Sequence, residues 1–138
     1  MLLQRPLPDN VGYITQYFGA RPAVYAQYNL AGHNGLDYGA PRGTSILACH
    51  AGTATVGYDA TGYGNYVRVS APEYTTIYAH MSSVAVVTGQ VVTARQLLGH
   101  VGSTGNSTGN HLHLGVKFTR GRNPAYLNWV DPLPYRYI

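Results

Sequence analysis

The sequence predicts an all-β protein: one compact domain of short antiparallel strands, arranged as a sandwich or open barrel. Three observations carry this. Short segments of alternating apolar and polar residues follow one another closely, Gly-containing turns separate them, and no long segment has helical periodicity. Composition agrees, since 17 Gly, 13 Tyr and only 10% charged residues among 138 favour strands and turns over a helical bundle. A chain of this length buries one core without disulfides.

Residues 1–12 read as a Pro-punctuated arm. Tyr13 to Phe18 alternates and is broken by Gly19-Ala-Arg-Pro22. Val24 to Gly32 carries Tyr25, Tyr28 and Leu30 near helical spacing, which suits a short helix or an ordered loop. Strand signals become regular from Thr44: Thr44 to Cys49, Gly52 to Tyr58, Asn65 to Ser70 and Tyr74 to Tyr78, with Ala71-Pro-Glu73 as a hairpin turn. Val84 to Val87, Val91 to Thr93, Leu97 to Val101 and His111 to Phe118 complete the series. The tail, 119–138, is rich in Pro, Tyr and Asn and is expected to pack on the outside of the core, which spans 13–118.

Several function classes recede on composition. The net charge of +4 is dispersed and carried almost wholly by Arg, with Lys117 the sole lysine. A basic surface suits an anionic partner such as an acidic wall polymer, but the lack of a Lys/Arg run argues against nucleic acid. Cys49 is the only cysteine, which excludes an internal disulfide and a thiolate-rich zinc site. In the run Ile46 to Cys49 it reads as a small buried residue. No apolar segment is long enough for a signal peptide or a membrane span, so release by cell lysis, or excision from a longer protein, is expected.

Chemistry concentrates in the histidines. Behind a loop rich in Gly, Ser, Thr and Asn, His111 and His113 lie one residue apart. On a strand both imidazoles share a face, about 7 Å apart, and Leu112 and Leu114 point to the core. His33 precedes Asp37 by four residues, a spacing that keeps both on one side of a helix or a strand. Alone, that pair is a surface ion pair as readily as a metal site. Combined with His111 and His113 it reaches the three protein ligands and one open position of a catalytic zinc. The spacing leaves open which of His111 and His113 binds metal and which moves protons. His80 ends the strand signal that begins at Tyr74. His50 and His100 follow apolar runs inside presumed strands without a carboxylate nearby, and read as structural or surface residues.

The segments His33-Asn-Gly-Leu-Asp37, Tyr78-Ala-His80 and Gly102-Ser-Thr-Gly-Asn-Ser-Thr-Gly-Asn-His-Leu-His113, in that order, resemble the lysostaphin/LytM-type zinc endopeptidases. The likeness extends through Ala40 to Thr44, Ala51 to Val56, Tyr63 to Val67 and Gly89 to Gly99. It implies a single peptidase domain with its active-site groove between loops, one Zn2+ ion held by His33, Asp37 and His113, and His80 and His111 as catalytic residues that do not bind the metal. It further implies hydrolysis of peptide bonds in bacterial peptidoglycan, on the extracellular or periplasmic side, by a protein expected to be monomeric and suited to a phage-encoded lysin. The family tends to place a tyrosine upstream of the first ligand; Tyr25 and Tyr28 are both candidates. Two other readings exist. One is a non-catalytic relative that docks on the wall, which would be expected to lack a ligand. The other is a phosphocarrier or biotinyl/lipoyl-like module, suggested by the turns at Gly89 and Gly99, but no Lys stands at the hairpin such a carrier modifies.

Overall fold

The computed structural model describes residues 2–136. Ten strands make one largely antiparallel sheet that does not close into a barrel: β1 (Tyr13–Gln16), β2 (Leu36–Gly39), β3 (Ser45–Leu47), β4 (Gly52–Asp59), β5 (Gly64–Ser70), β6 (Tyr74–Val84), β7 (Val91–Val92), β8 (Leu97–Val101), β9 (His111–Phe118) and β10 (Trp129–Val130). The main path runs β1-β2-β9-β6-β5-β4-β7, with β10 added beside β9. The expected fold class therefore holds. The ambiguous stretch after Gly19 resolves into one α-helical turn, α1 (Pro22–Tyr25), followed by a 3-10 turn at Ala26–Tyr28.

Strand β6 organises the fold. The sequence suggests a strand ending near His80 and a separate one at Val84 to Val87, but β6 runs on through His80 for 11 residues to Val84, and residues 85–87 lie outside any strand. Its first part lies between β9 and β5, and its last part pairs with β8, which in turn pairs with β3. The change of partner coincides with an irregular register against β5 and a left-handed backbone at His80, φ 62°. A bulge of this kind re-aims a side chain at the sheet surface. His80 is thus displayed by a kink inside a strand, not by a strand end.

One apolar cluster fills the interior. Leu112, Leu114 and Val116 of β9, Val67 and Val69 of β5 and Tyr78 of β6 pack with Ile46 of β3 and Leu98 and Val101 of β8. The Pro-punctuated arm also enters it, because Leu3 and Leu7 are buried. Along β9 the period-two alternation sends Leu112 and Leu114 inward and leaves His111 and His113 on the opposite face. Truncating one of these buried leucines to alanine removes about 2–5 kcal/mol of stability.

Candidate active site

Sheet register assembles the first part of the site. Asp37 on β2 lies directly opposite His113 on β9, and His111 lies opposite Gly39. His33, just before β2, is tied to the incoming chain: its carbonyl accepts from the Gly19 N–H at 2.8 Å, and its N–H donates to the Ala20 carbonyl at 2.8 Å. Gly35, between His33 and Asp37, has a steric cause. A Cβ there would stand 2.8 Å from Cε1 of His113 and 2.3 Å from the Leu114 carbonyl.

Three ligand-type atoms then converge. His33 Nε2 lies 3.0 Å from Asp37 Oδ1 and 3.0 Å from His113 Nδ1, and His113 Nδ1 lies 3.1 Å from Asp37 Oδ1. All three residues are buried. The tautomer of His33 follows from its far side, where Nδ1 lies 3.1 Å from the Tyr17 carbonyl and donates its proton there. Its Nε2 is therefore the ring nitrogen turned towards the carboxylate and the second imidazole. Burial works against the Asp37 carboxylate, but the adjoining His113 and His33 imidazoles outweigh it and hold the pKa well below the usual carboxylate range. Burial likewise lowers the pKa of His113, favouring the neutral ring. A carboxylate oxygen and two imidazole nitrogens meeting at one point are the donors a divalent cation takes. Tetrahedral bonds of about 2.0–2.1 Å set ligand atoms roughly 3.4 Å apart, a few tenths of an ångström wider than here. The donor set fits a divalent metal of the zinc type.

His111 and His80 flank this triangle with their rings 4.6 Å apart. The Nδ1 of His111 is 2.9 Å from the Gly109 carbonyl, and that of His80 is 2.7 Å from the Thr104 carbonyl. Each Nδ1–H is thus engaged by the 102–110 loop, leaving each Nε2 with a free lone pair. The loop is itself anchored, since the Thr104 hydroxyl donates to the Met81 carbonyl at 2.9 Å and accepts from the Asn65 N–H at 3.0 Å. Burial, reinforced by the neighbouring His113, pushes the pKa of His80 down to about 4. His80 is a neutral imidazole at neutral pH. His111 Nε2 stands 3.7 Å from Asp37 Oδ2, at the edge of the triangle.

A cavity of about 320 Å³ opens above these groups, lined by Tyr25, Tyr28, Tyr63, Ser107 and Trp129 among others. Of the two tyrosines left open, Tyr25 is the one against the metal-type cluster: its ring is 5.2 Å from that of His33, and its hydroxyl accepts from Gln16 Nε2 at 2.6 Å. Gln16 also donates to Asp37 Oδ2 at 3.3 Å. Tyr28 instead joins two loops, donating to the Thr61 carbonyl at 2.9 Å and bonded to Asn106. Gln16, and Tyr63 with its ring 5.6 Å from that of His113, were not legible in the sequence. No local signal marks Gln16, which reaches Asp37 only through the β1–β2 pairing.

The remaining histidines stand apart. His50 follows β3 instead of lying in a strand; it is buried, with Nε2 2.8 Å from the Thr76 hydroxyl and Nδ1 2.8 Å from the Ala51 carbonyl. His100 lies on β8 beside the Ser83 hydroxyl at 2.8 Å. Cys49 is buried as expected, and burial pushes its thiol up to about 12.

Comparison with known proteins matches this geometry to a family. The model of peptidase family M23 matches residues 31–125. The peptidoglycan DD-endopeptidase ShyA of Vibrio cholerae is 34% identical over 120 residues, covering 86% of this chain and 28% of that protein. The catalytic domain of the prophage-encoded M23 protein EnpA from Enterococcus faecalis, solved as a point mutant, superposes with a TM-score of 0.76 at 32% identity, covering 94% of this chain and 95% of that one. Lysostaphin from Staphylococcus simulans, an antimicrobial peptidase, superposes with a TM-score of 0.76 at 27% identity over 90% of this chain and 48% of that one. The chain spans less than half the length of the curated relatives it matches. With the family's signature running from before His33 to beyond His113, and with a fold shared with solved members, this chain belongs to peptidase family M23.

Proposed function

We propose that this chain is a zinc-dependent endopeptidase that hydrolyses peptide bonds in bacterial peptidoglycan, in the cross-bridge or the stem peptide. The observation that carries the proposal is the convergence of three buried ligand atoms, His33 Nε2, Asp37 Oδ1 and His113 Nδ1, at 3.0–3.1 Å from one another beside two imidazoles with free Nε2 atoms. A zinc ion held by these three would supply Lewis acidity to the scissile carbonyl and acidify a water. The protein's own groups do the rest. His80, neutral and tied to Thr104, accepts a proton through Nε2 or hydrogen-bonds a developing charge once protonated; His111, tied to Gly109, does the same from the other side. No glutamate is placed to act as a base, since Glu73, the only one in the chain, lies outside the cavity. The Tyr25 hydroxyl, with Gln16 donating to its oxygen, keeps its own proton for a carbonyl or oxyanion in the cavity.

ShyA is named for peptidoglycan, which supports that substrate class here. Among the described residues no helix is long and apolar enough to cross a membrane. Action on the wall by a monomer of phage origin belongs to the same proposal, alongside one zinc per chain. Zinc content is measured together with mass spectrometry of fragments released from purified walls of defined cross-link type. The expected outcome is one zinc per chain and new peptide termini, both lost on chelation and in His113→Ala. Undiminished release by zinc-free His113→Ala would overturn the proposal. Metal binding without any product would favour a wall-docking role instead.

A further inference from the structure

The face of the sheet that carries the metal-type cluster continues beyond it. On β9, His113, Gly115 and Lys117 share that face, and their partners on β6 are Ala79, Ile77 and Thr75. Arg68 of β5 lies opposite Ile77, and Trp129 of β10 lies opposite Lys117, so both join the same face. Trp129 connects the two zones. Its indole lines the cavity above the histidines and lies so close over Gly115 that a Cβ there would stand 3.1 Å from Cε3 and Cζ3.

Two cations occupy this extension, and each is held by an aromatic ring. Lys117 Nζ sits 4.7 Å from the centre of the Trp129 ring, and Arg68 Cζ sits 5.4 Å from that of Tyr66. Among the described residues neither forms an ion pair with an acidic side chain. They also oppose one another: burial, and then the charge of Arg68, lower the pKa of Lys117. Two like charges left facing across one strand, with no carboxylate supplied by the fold, are relieved by an anion from outside.

We infer that Arg68 and Lys117 form a subsite for a carboxylate on the peptide substrate, about four residues from the bond that is cleaved. The spacing follows from the sheet. Lys117 is four residues beyond His113, roughly 13 Å at strand rise, and an extended peptide lying along that face advances by the same rise per residue. The inference rests on the proposed peptidase site, whose substrate would run from the cavity past Trp129.

Cross-linked peptide fragments of peptidoglycan, prepared with free carboxylates or with the same groups converted to amides, test it. Their dissociation constants are measured by calorimetry on the zinc-loaded chain carrying His111→Gln, which slows turnover, with mass spectrometry confirming intact fragments. The free acids are expected to bind about ten-fold tighter at low salt, and the preference to shrink as salt rises. Adding Arg68→Gln and Lys117→Gln should remove the preference while leaving amide binding within about two-fold. The exposed Arg68→Gln alone, which spares the packing on Trp129, should lower it about three-fold. Equal binding of both forms by the parent, or an unchanged preference in the double variant of unaltered thermal stability, overturns the subsite. Cleavage is assayed separately with His111 intact; retained discrimination without any cleavage would refute the peptidase reading and leave the subsite standing.

Discussion

Two buried polar clusters lie on opposite faces of the same sheet, and they are built on different terms. On the core side, His50 bonds to the Thr76 hydroxyl at 2.8 Å, Thr76 to the Tyr78 hydroxyl at 2.8 Å, and Tyr78 to the Cys49 N–H at 2.8 Å. Every nitrogen of that imidazole has a partner, since Nδ1 reaches the Ala51 carbonyl. On the other side, His33 Nε2, Asp37 Oδ1 and His113 Nδ1 converge on one point, and among the described residues the buried Nε2 of His113 has no partner. The first cluster is satisfied by the chain itself. The second is a donor set that could hold a cation. Burial and histidine content do not separate structure from chemistry; whether the lone pairs are already answered does.

The widest separation between the clusters should appear in turnover. His111→Gln and His80→Gln, which touch the cavity but none of the three converging atoms, are expected to lower kcat by about 10²–10⁴-fold with zinc stoichiometry unchanged. Steady-state kinetics on a released peptide, paired with metal analysis, measures both. Loss of zinc in either variant would move that residue into the ligand set and redraw the boundary.

A smaller effect is expected from the core side. Thr76→Val strands the His50 and Tyr78 groups and should cost about 1–3 kcal/mol in chemical denaturation, while zinc content and kcat stay at parental levels. A fall in zinc affinity there would mean that the two faces are coupled through β6 and are not independent.

The smallest is a pH effect on the metal-free protein. His80, at about 4, and His50 are both held below the ordinary imidazole value of 6.5 by burial, so the unfolded chain binds protons more readily than the folded one. Their contribution to stability is complete above about pH 6.5 and is lost as pH falls towards 4. Asp37 works the same way lower down, its contribution being present above the ordinary 3.8 and lost as pH falls through its depressed folded value. Denaturation midpoints should therefore decline from pH 7 to pH 4. His50→Gln should flatten part of that decline, and an identical slope in the variant would remove His50 from the account.

The comparison also explains what was legible beforehand. The His111-Leu-His113 alternation reports its own geometry, because a strand has only two faces and the intervening Leu112 must go to the core. His33-Asn-Gly-Leu-Asp37 reports a pair on one side. His80 was found through its motif, but its mode of display was not: the turn of β6 at φ 62° depends on which strands take up its two halves. The burial of Leu3 and Leu7 in the Pro-punctuated arm is not legible, because isolated apolar residues between prolines have no period to reveal a buried face.

By itself, the sequence determined the all-β class and the family, and it pointed to His33, Asp37, His80, His111 and His113, which the fold brings close together. All of these depend on local spacing and side-chain chemistry, which the chain carries wherever it goes. Only the tertiary structure decided that Tyr25 and not Tyr28 stands against His33, that Gln16 reaches Asp37, and that Arg68 and Lys117 share a face with His113. Those are matters of register between strands far apart in the chain, and register is set by how the two faces of the whole sheet divide apolar from polar, not by any one segment.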